Sequence, residues 1–475
     1  MKQKILRILS CAITICMTVC ILAKLTVLTE KKDSYEKNAE FLNQKEEFDV
    51  LFLGTSHVIN GIFPMELWND YGIVSYNLGG HSTLIPTTYW ILQNALLRTT
   101  PKVVVVDCAH LSYMSKTSSN FSYLHLSLDS MPLTPTKVRA VMDLLDDPTM
   151  EERIRTGDVS EEGEERTMIG LLWDYSVYHS RWSALEKDDF KPSINVEKGA
   201  ESRIAVTAPA ESPKVTKDTK MESETTSVKY LRKIIEDCKS RGIDVVLTYL
   251  PFPASEKKQK EANYVYDIAK EYNVGYLNYL DQQVVDFSTD LYDDSSHLNP
   301  SGARKVTANL GEYLISHYDI PDRRTDEKYQ SWFKDYKRYT VFKNKNLKNI
   351  KSLQEYLMLL AGDDVEIQIK IKDQAILNNT LISKLLENLG VDSSLITANT
   401  GSIKVTNIGK DVDVLDGPIK EALWDPDAGL QIDVYRNEKL IDSVCSSNVI
   451  PEGSEYETPI PLMRESDKTN PEYGR

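Results

Sequence analysis

The stretch Phe48-Asp-Val-Leu-Phe-Leu-Gly-Thr-Ser-His57 sets the reading of this 475-residue chain. Asp49-Val-Leu-Phe-Leu53 is a short apolar run without alternation, as in a strand buried on both faces. Gly54 ends it with a tight turn, and Ser56 follows where the strand gives way to solvent. The pattern recurs downstream. Ile73-Val-Ser-Tyr76 reads as a second strand, ending at Asn77-Leu-Gly-Gly80, and Tyr89–Leu97 as a helix. Lys102-Val-Val-Val-Val-Asp107 is a third buried strand. From Val228 come a helix through Arg241, the strand Asp244–Leu250, a helix over Lys258–Tyr272, the strand Gly275–Asn278 and a last helix over Ser301–His317. Strands alternating with helices imply an α/β class: a three-layer parallel sheet with helices on both faces. This unit is expected to span residues 48–320.

Its flanks differ in texture. Ile8 to Ala23 carry no charge, and the apolar run resumes after Lys24 through Leu28. Lys2, Lys4 and Arg7 precede it. A bilayer needs about 20 apolar residues, and a lysine near a helix end can snorkel to the interface. Residues 1–29 are therefore expected to be a single-pass anchor in the cell membrane, N-terminus inside, with the rest extracytoplasmic. A cleaved signal peptide is the alternative; it would want small residues that Ala23 is not followed by. Residues 30–47 read as a polar connector. Residues 112–227 read as an insertion into the α/β unit, and its stretch 190–227, with almost no large apolar residue, as disordered. The acidic part, 146–166, reads as a solvated helical flap. A polar, aromatic-rich connector follows at 321–350. Val365–Lys372 alternates with period two, Ile382–Leu389 is amphipathic, and Ser402–Thr406 and Leu430–Tyr435 read as half-buried strands. Residues 351–460 are thus expected to be a smaller α+β or β-rich module, followed by a tail at 461–475.

Composition excludes whole classes. At 41% hydrophobic and 27% charged residues the chain is globular in kind. With 56 basic against 71 acidic residues, the net charge of −15 argues against nucleic acid as a partner. Six cysteines, three of them in the apolar run, are too few for a disulfide scaffold.

The chemistry is expected at the carboxyl ends of the strands, where open parallel sheets bind ligands. Gly54-Thr-Ser-His57, Asn77-Leu-Gly-Gly-His-Ser82 and Asp107-Cys-Ala-His110 lie there, and Asp294-Ser-Ser-His297 precedes the last helix. A serine hydroxyl becomes a nucleophile when a histidine takes its proton and an acid holds that histidine's tautomer. Ser56, His297 and Asp294 are the candidates for those roles. The bland alternatives are that Ser56 is a helix cap and that Asp294 and His297 belong to a capping turn. His57, His81 and His110 follow strands, and with Asp107 they are candidates to line the substrate pocket. A metal site of the same four groups is the rival chemistry, but no pair has a compact metal-ligand spacing, so no metal and no other cofactor is expected.

This constellation resembles the SGNH/GDSL hydrolase superfamily. Gly54-Thr-Ser56 matches the family's first block, with Thr55 where Asp is frequent, and Asp294-Ser-Ser-His297 matches the last. The resemblance covers about residues 48–318 and implies a flavodoxin-like parallel sheet and a Ser56–His297–Asp294 triad. It also implies an oxyanion hole. Ser56 supplies one backbone donor, and Gly80 stands in for the second-block glycine. No third-block asparagine follows Asp107. More narrowly, Phe48–His57, Tyr76-Asn-Leu-Gly79 and His297-Leu-Asn-Pro-Ser-Gly-Ala303 are similar to membrane-anchored SGNH-like proteins that work with membrane-bound O-acyltransferases on surface polymers. In the C-terminal block, Asp364–Ala375, Gly429–Asn437 and Leu440–Val444 look like interleukin-like (FAM3-type) modules. The resemblance implies a membrane-tethered serine O-acetyltransferase acting on a cell-surface or secreted polysaccharide through an acyl-Ser56 intermediate. Its partners would be an acylated donor, a glycan acceptor and a multi-span O-acyltransferase. Two alternatives stay open: a carbohydrate esterase with the same triad, and a non-enzymatic glycan-binding protein on a decayed scaffold.

Overall fold

The computed structural model describes residues 2–29, 32–129, 131–159, 166–191, 194–222, 224–293, 296–397, 400–416, 423–447, 453 and 455–465. Its first helix, α1 (Lys2–Thr29), is 28 residues long, or about 42 Å at 1.5 Å per residue. An 18-residue window within its apolar stretch, Gln3–Thr29, has a mean hydropathy of 2.4 and is unburied throughout, while the C-terminal end of the helix meets the rest of the chain. It is therefore long and apolar enough to cross a bilayer. α2 (Lys32–Asn43) follows where the sequence reads as a polar connector.

The main unit contains, in chain order, β1 (Val50–Leu53), α3 (Ser56–Gly61), α4 (Pro64–Tyr71), β2 (Ser75–Asn77), α5 (Ile85–Ala95) and β3 (Val103–Asp107). Next come α6 (Phe121–Leu128), α7 (Pro135–Leu145), α8 (Pro148–Arg155), α9 (Met168–Leu172) and α10 (Tyr175–Tyr178), all between β3 and β4. The chain rejoins the sheet through α11 (Thr226–Ser240), β4 (Asp244–Tyr249), α12 (Glu256–Tyr272), β5 (Gly275–Asn278) and α13 (Pro300–His317). All sheet neighbours are parallel, in the order β2-β1-β3-β4-β5. Successive residues feed opposite layers. Val50, Phe52, Val103 and Val105 pack with Leu67 of α4 and Leu310 and Leu314 of α13. Leu51, Leu53, Val104 and Val106 pack with Leu92 of α5 and Leu231, Ile234 and Ile235 of α11. Burial on both faces is why these strands carry no polar alternation. The strand order reverses at β1, so the crevice beyond β1 and β3 is the switch point where such sheets hold ligands.

Besides a strand at Leu462–Arg464, which pairs into the C-terminal sheet although 461–475 is expected to be a tail, two stretches depart from the sequence reading. Residues 194–222, expected to be disordered, have no regular secondary structure yet are built into the molecule. Lys198 is buried and paired with Glu40 and with Asp335 at 2.7 Å, and its ammonium lies 5.1 Å from the Trp332 ring centre. Glu201 donates its backbone N–H to Ile59, and Thr207 donates to Leu291. This strap is held by polar groups, backbone and a few scattered apolar side chains such as Ala200 and Val206 rather than by a continuous apolar face, so composition did not reveal it. The connector at 321–350 is mostly α14 (Gln330–Asn349). Trp332 and Tyr339, seven residues apart on one helical stripe, are buried in the main core, while lysines cover the other side. In the acidic stretch, residues 160–165 lie outside the described residues; Met150 and Val159 on either side of the end of α8 pack on Phe121.

The C-terminal module comprises α15 (Leu353–Ala361), β6 (Glu366–Ile371), α16 (Thr380–Asn388), β7 (Thr400–Asn407), β8 (Asp411–Asp416), β9 (Ala428–Arg436), β10 (Lys439–Ser447) and β11 (Leu462–Arg464). Its antiparallel sheet runs β11-β10-β9-β6-β7-β8. Ile367 and Ile369 of β6 meet Leu385 and Leu386 of α16 in a second core. Asp363, before β6, joins this module to the main unit: Lys343 of α14 lies 2.6 Å from it, and Arg436 of β9 pairs with the same carboxylate. Arg304 of α13 adds a bond to Asp364 at 3.3 Å.

Candidate functional site

Ser56 is the first residue of α3, directly after the turn that ends β1. Gly54 makes that turn possible. Its φ of +146° suits glycine, and a side-chain carbon there would come within 2.8 Å of Asp107 and Val58. Thr55 caps α3, accepting from the His57 N–H at 3.2 Å. Ser56 thus sits half-exposed at the mouth of the crevice.

The partner histidine comes from a loop that closes on itself. Leu291 and Leu298 form an antiparallel bridge, and Tyr292 N–H donates to the His297 carbonyl. Asn299, fully buried, caps α13 and donates its side-chain amide to the carbonyls of Ala205, Thr289 and Leu291. Between these clamps, one Asp293 oxygen accepts the backbone N–H groups of Ser296 and His297, both at 2.8 Å. Its other oxygen is hydrogen-bonded to His297 Nδ1. On the far side of the ring, His297 Nε2 lies 2.7 Å from Ser56 Oγ. Ser56, His297 and Asp293 therefore stand in a continuous hydrogen-bonded line, with ring and carboxylate both partly open to solvent. The carboxylate observed in the acid position is one residue earlier than the expected Asp294, which lies outside the described residues. The local reason is the turn: Asp293 reaches the N–H groups three and four residues on, and this faces it toward the ring.

Electrostatics suit this line. Burial pushes the Asp293 pKa up. The hydrogen bonds from the His297 ring and from the His297 and Ser296 backbone outweigh that and bring it to about 2. The carboxylate is ionised at neutral pH and stabilises a proton on Nδ1, which leaves Nε2 as the acceptor for the serine proton.

The expected oxyanion donors divide. No acceptor for the Ser56 backbone N–H is found among the described residues. The Gly80 N–H is committed to the Gly54 carbonyl at 3.0 Å, which corrects its assignment as a free donor. The cause is the close approach of the loops after β1 and β2. Asn77 is structural: its amide donates to Val58 and Ile62 carbonyls and its oxygen accepts from Gly79.

The four pocket candidates scatter. The His57 ring stands 5.6 Å from the His297 ring and 4.6 Å from Phe252. Burial, together with nearby His297, His110 and Lys258, holds its pKa well below that of free imidazole, so it is neutral. Its Nδ1 is 3.9 Å from Asp107 and makes no hydrogen bond. Asp107 is buried beneath the Gly54 turn, accepting from the Leu250 N–H at 3.1 Å and facing Thr55 Oγ1. Burial pushes its pKa up to about 7. Its place is under the site, supporting the turn. His110 pairs with Lys258 at 3.4 Å, and burial lowers its pKa to about 3. His81 meets Glu201 of the strap at 3.3 Å. Among the described residues, no group of three or more histidine, cysteine or acidic side chains is placed to hold a metal. Sequence reasoning missed Asp293, Phe252 and Glu201; the only prior signal was the adjacent aspartate pair at 293–294. No protein-family model matches the chain, and no curated protein matches it significantly.

Proposed function

We propose that the protein is a membrane-tethered serine acyl-transfer enzyme of SGNH type, acting outside the cytoplasm on a polysaccharide. The observation that carries this reading is the 2.7 Å contact between Ser56 Oγ and His297 Nε2, with Asp293 on the other ring nitrogen. Ser56 attacks the carbonyl of an acyl donor while His297 takes its proton. The tetrahedral oxyanion accepts from the Ser56 backbone N–H, a kind of donor worth about 3 kcal/mol of barrier. Collapse expels the donor's alcohol, which takes the proton back from His297 and leaves acyl-Ser56. A sugar hydroxyl then attacks the acyl-enzyme, with His297 again as base, and the ester moves to the glycan. The half-exposed nucleophile favours this, since a polymer cannot enter a deep pocket. The tether favours it too, since a fixed serine can meet an acyl group delivered by a multi-span O-acyltransferase. The C-terminal module, whose sequence runs look like interleukin-like (FAM3-type) modules, would hold glycan or partner.

The test uses the full chain in nanodiscs with a chromogenic acetyl ester and an oligosaccharide acceptor. Serine-dependent ester cleavage with acetyl appearing on the acceptor is expected, and Ser56→Ala should abolish both. Cleavage that ignores every acceptor makes the enzyme an esterase. Glycan binding with no turnover makes it a binding protein. Activity surviving Ser56→Ala removes the triad.

A further inference from the structure

The insertion between β3 and β4 carries apolar side chains that the main core does not use. Trp182 is 70% exposed, and Phe190 and Ile169 are each 68% exposed; Met168 and Trp173 are also open. These five lie on one short stretch, Met168–Phe190, and that stretch is where the molecule grips the end of α1. The last turns of α1 pack against α10 and the 3-10 turn His179–Ala184. Arg181 of this turn donates to the Leu28 and Thr29 carbonyls and pairs with Asp189 at 2.8 Å. The other end of the stretch is fixed to the main unit. Leu171 is buried in its core, and Lys137 of α7 reaches Asp174 at 3.3 Å.

Leaving such large apolar side chains open to water is unfavourable. Tryptophan is the residue most at home where hydrocarbon meets headgroups. If α1 crosses the bilayer, its final turns lie at that boundary, and so does whatever packs on them. We propose that Met168–Phe190 is a membrane-seating platform whose exposed aromatic and aliphatic side chains enter the headgroup–acyl boundary beside α1. The occupant of this surface is lipid. Because the platform is tied to both α1 and the main core, it sets the height and tilt of the α/β unit above the bilayer. It rests on α1 being a span but not on the triad.

The six tryptophans supply the probe, because none lies in α1. Trp68 and Trp332 are buried, and Trp173 and Trp182 are the exposed pair. The full chain is reconstituted into phosphatidylcholine–phosphatidylglycerol vesicles, with or without lipids brominated near the headgroup end of the acyl chain. The wild type should lose fluorescence in brominated vesicles, and Trp173→Phe/Trp182→Phe should lose more than half of that quenching while still floating with vesicles. Wild-type protein that floats but is not quenched overturns the platform and leaves the anchor standing. Quenching unchanged in the double variant also overturns it. Protein that does not float removes the anchor and the platform together.

Discussion

Asp293 gathers two backbone N–H groups, the Ser296 hydroxyl and a ring nitrogen on one side chain. It builds the turn and sets the tautomer at once. Asp293→Asn keeps the shape but offers a donor amide to Nδ1, so the ring turns its lone pair the wrong way. We expect kcat for ester cleavage to fall roughly 10³-fold or more, with the Ser56 position still occupied. A greater loss from Asp294→Asn than from Asp293→Asn in the same assay would transfer the acid role. Asp107 gives a second prediction. Its folded pKa of about 7 exceeds the ordinary 3.8, so the native state holds a proton that the unfolded chain has lost. Stability therefore falls as pH rises through that window, from about 4 to about 7, and is flat above it. Glu197, pushed by burial to about 7, acts in the same direction. Buried, neutral His57 and His110 act in the opposite direction below about 6.5, so the comparison is between proteins: the denaturant midpoint should fall less from pH 5 to pH 7.5 in Asp107→Asn than in the wild type. An unchanged difference in the variant would mean that Asp107 is ionised in the fold.

At the scale of elements, strands buried on both faces were legible, because each is an unbroken apolar run between polar turns. Ser56 and His297 were legible for a different reason: a glycine turn after such a strand, and a histidine before a capped helix. The strap was not. Its anchors are single polar residues with distant partners. Lys198 reaches back 158 residues to Glu40, across a separation no local pattern encodes. The same logic hid the Gly80 N–H, whose acceptor is a backbone carbonyl on another loop. Lys198→Met should show how much the strap matters. It leaves Glu40 without its cation and Asp335 with Arg338 alone, at a cost of about 3 kcal/mol. We expect a lower melting temperature together with faster proteolysis within 194–222, while Lys220→Met, on a half-exposed pair with Asp267, should change melting little. Equal effects would make the strap an ordinary surface loop.

For the whole molecule, the junction at Asp363 decides whether the C-terminal module is cargo or a brace. Lys343 and Arg436 converge on that buried carboxylate from the linking helix and the module's sheet. Asp363→Ala removes the carboxylate from Arg436 and leaves Lys343 with Glu66 alone, in a place water barely reaches. A loss of about 3 kcal/mol is expected, seen in calorimetry as a lower transition or a second one split from the first. A single unshifted transition would show that the two units need no such bridge.

The order of the sheet also has a temporal side. Ser56 and His297 are 241 residues apart, and ribosomes add about 5–20 residues per second. Ser56 thus leaves the ribosome some 10–50 seconds before His297. β4 and β5, which fill the far side of the sheet, also come after the long insertion. During that interval α1 already exists, and Ser56 on a half-built sheet is only an alcohol. On the proposed acyl-transfer reading, reactivity waits for the segment that carries His297, so a nascent or truncated molecule lacking it would sit at the membrane without acylating anything.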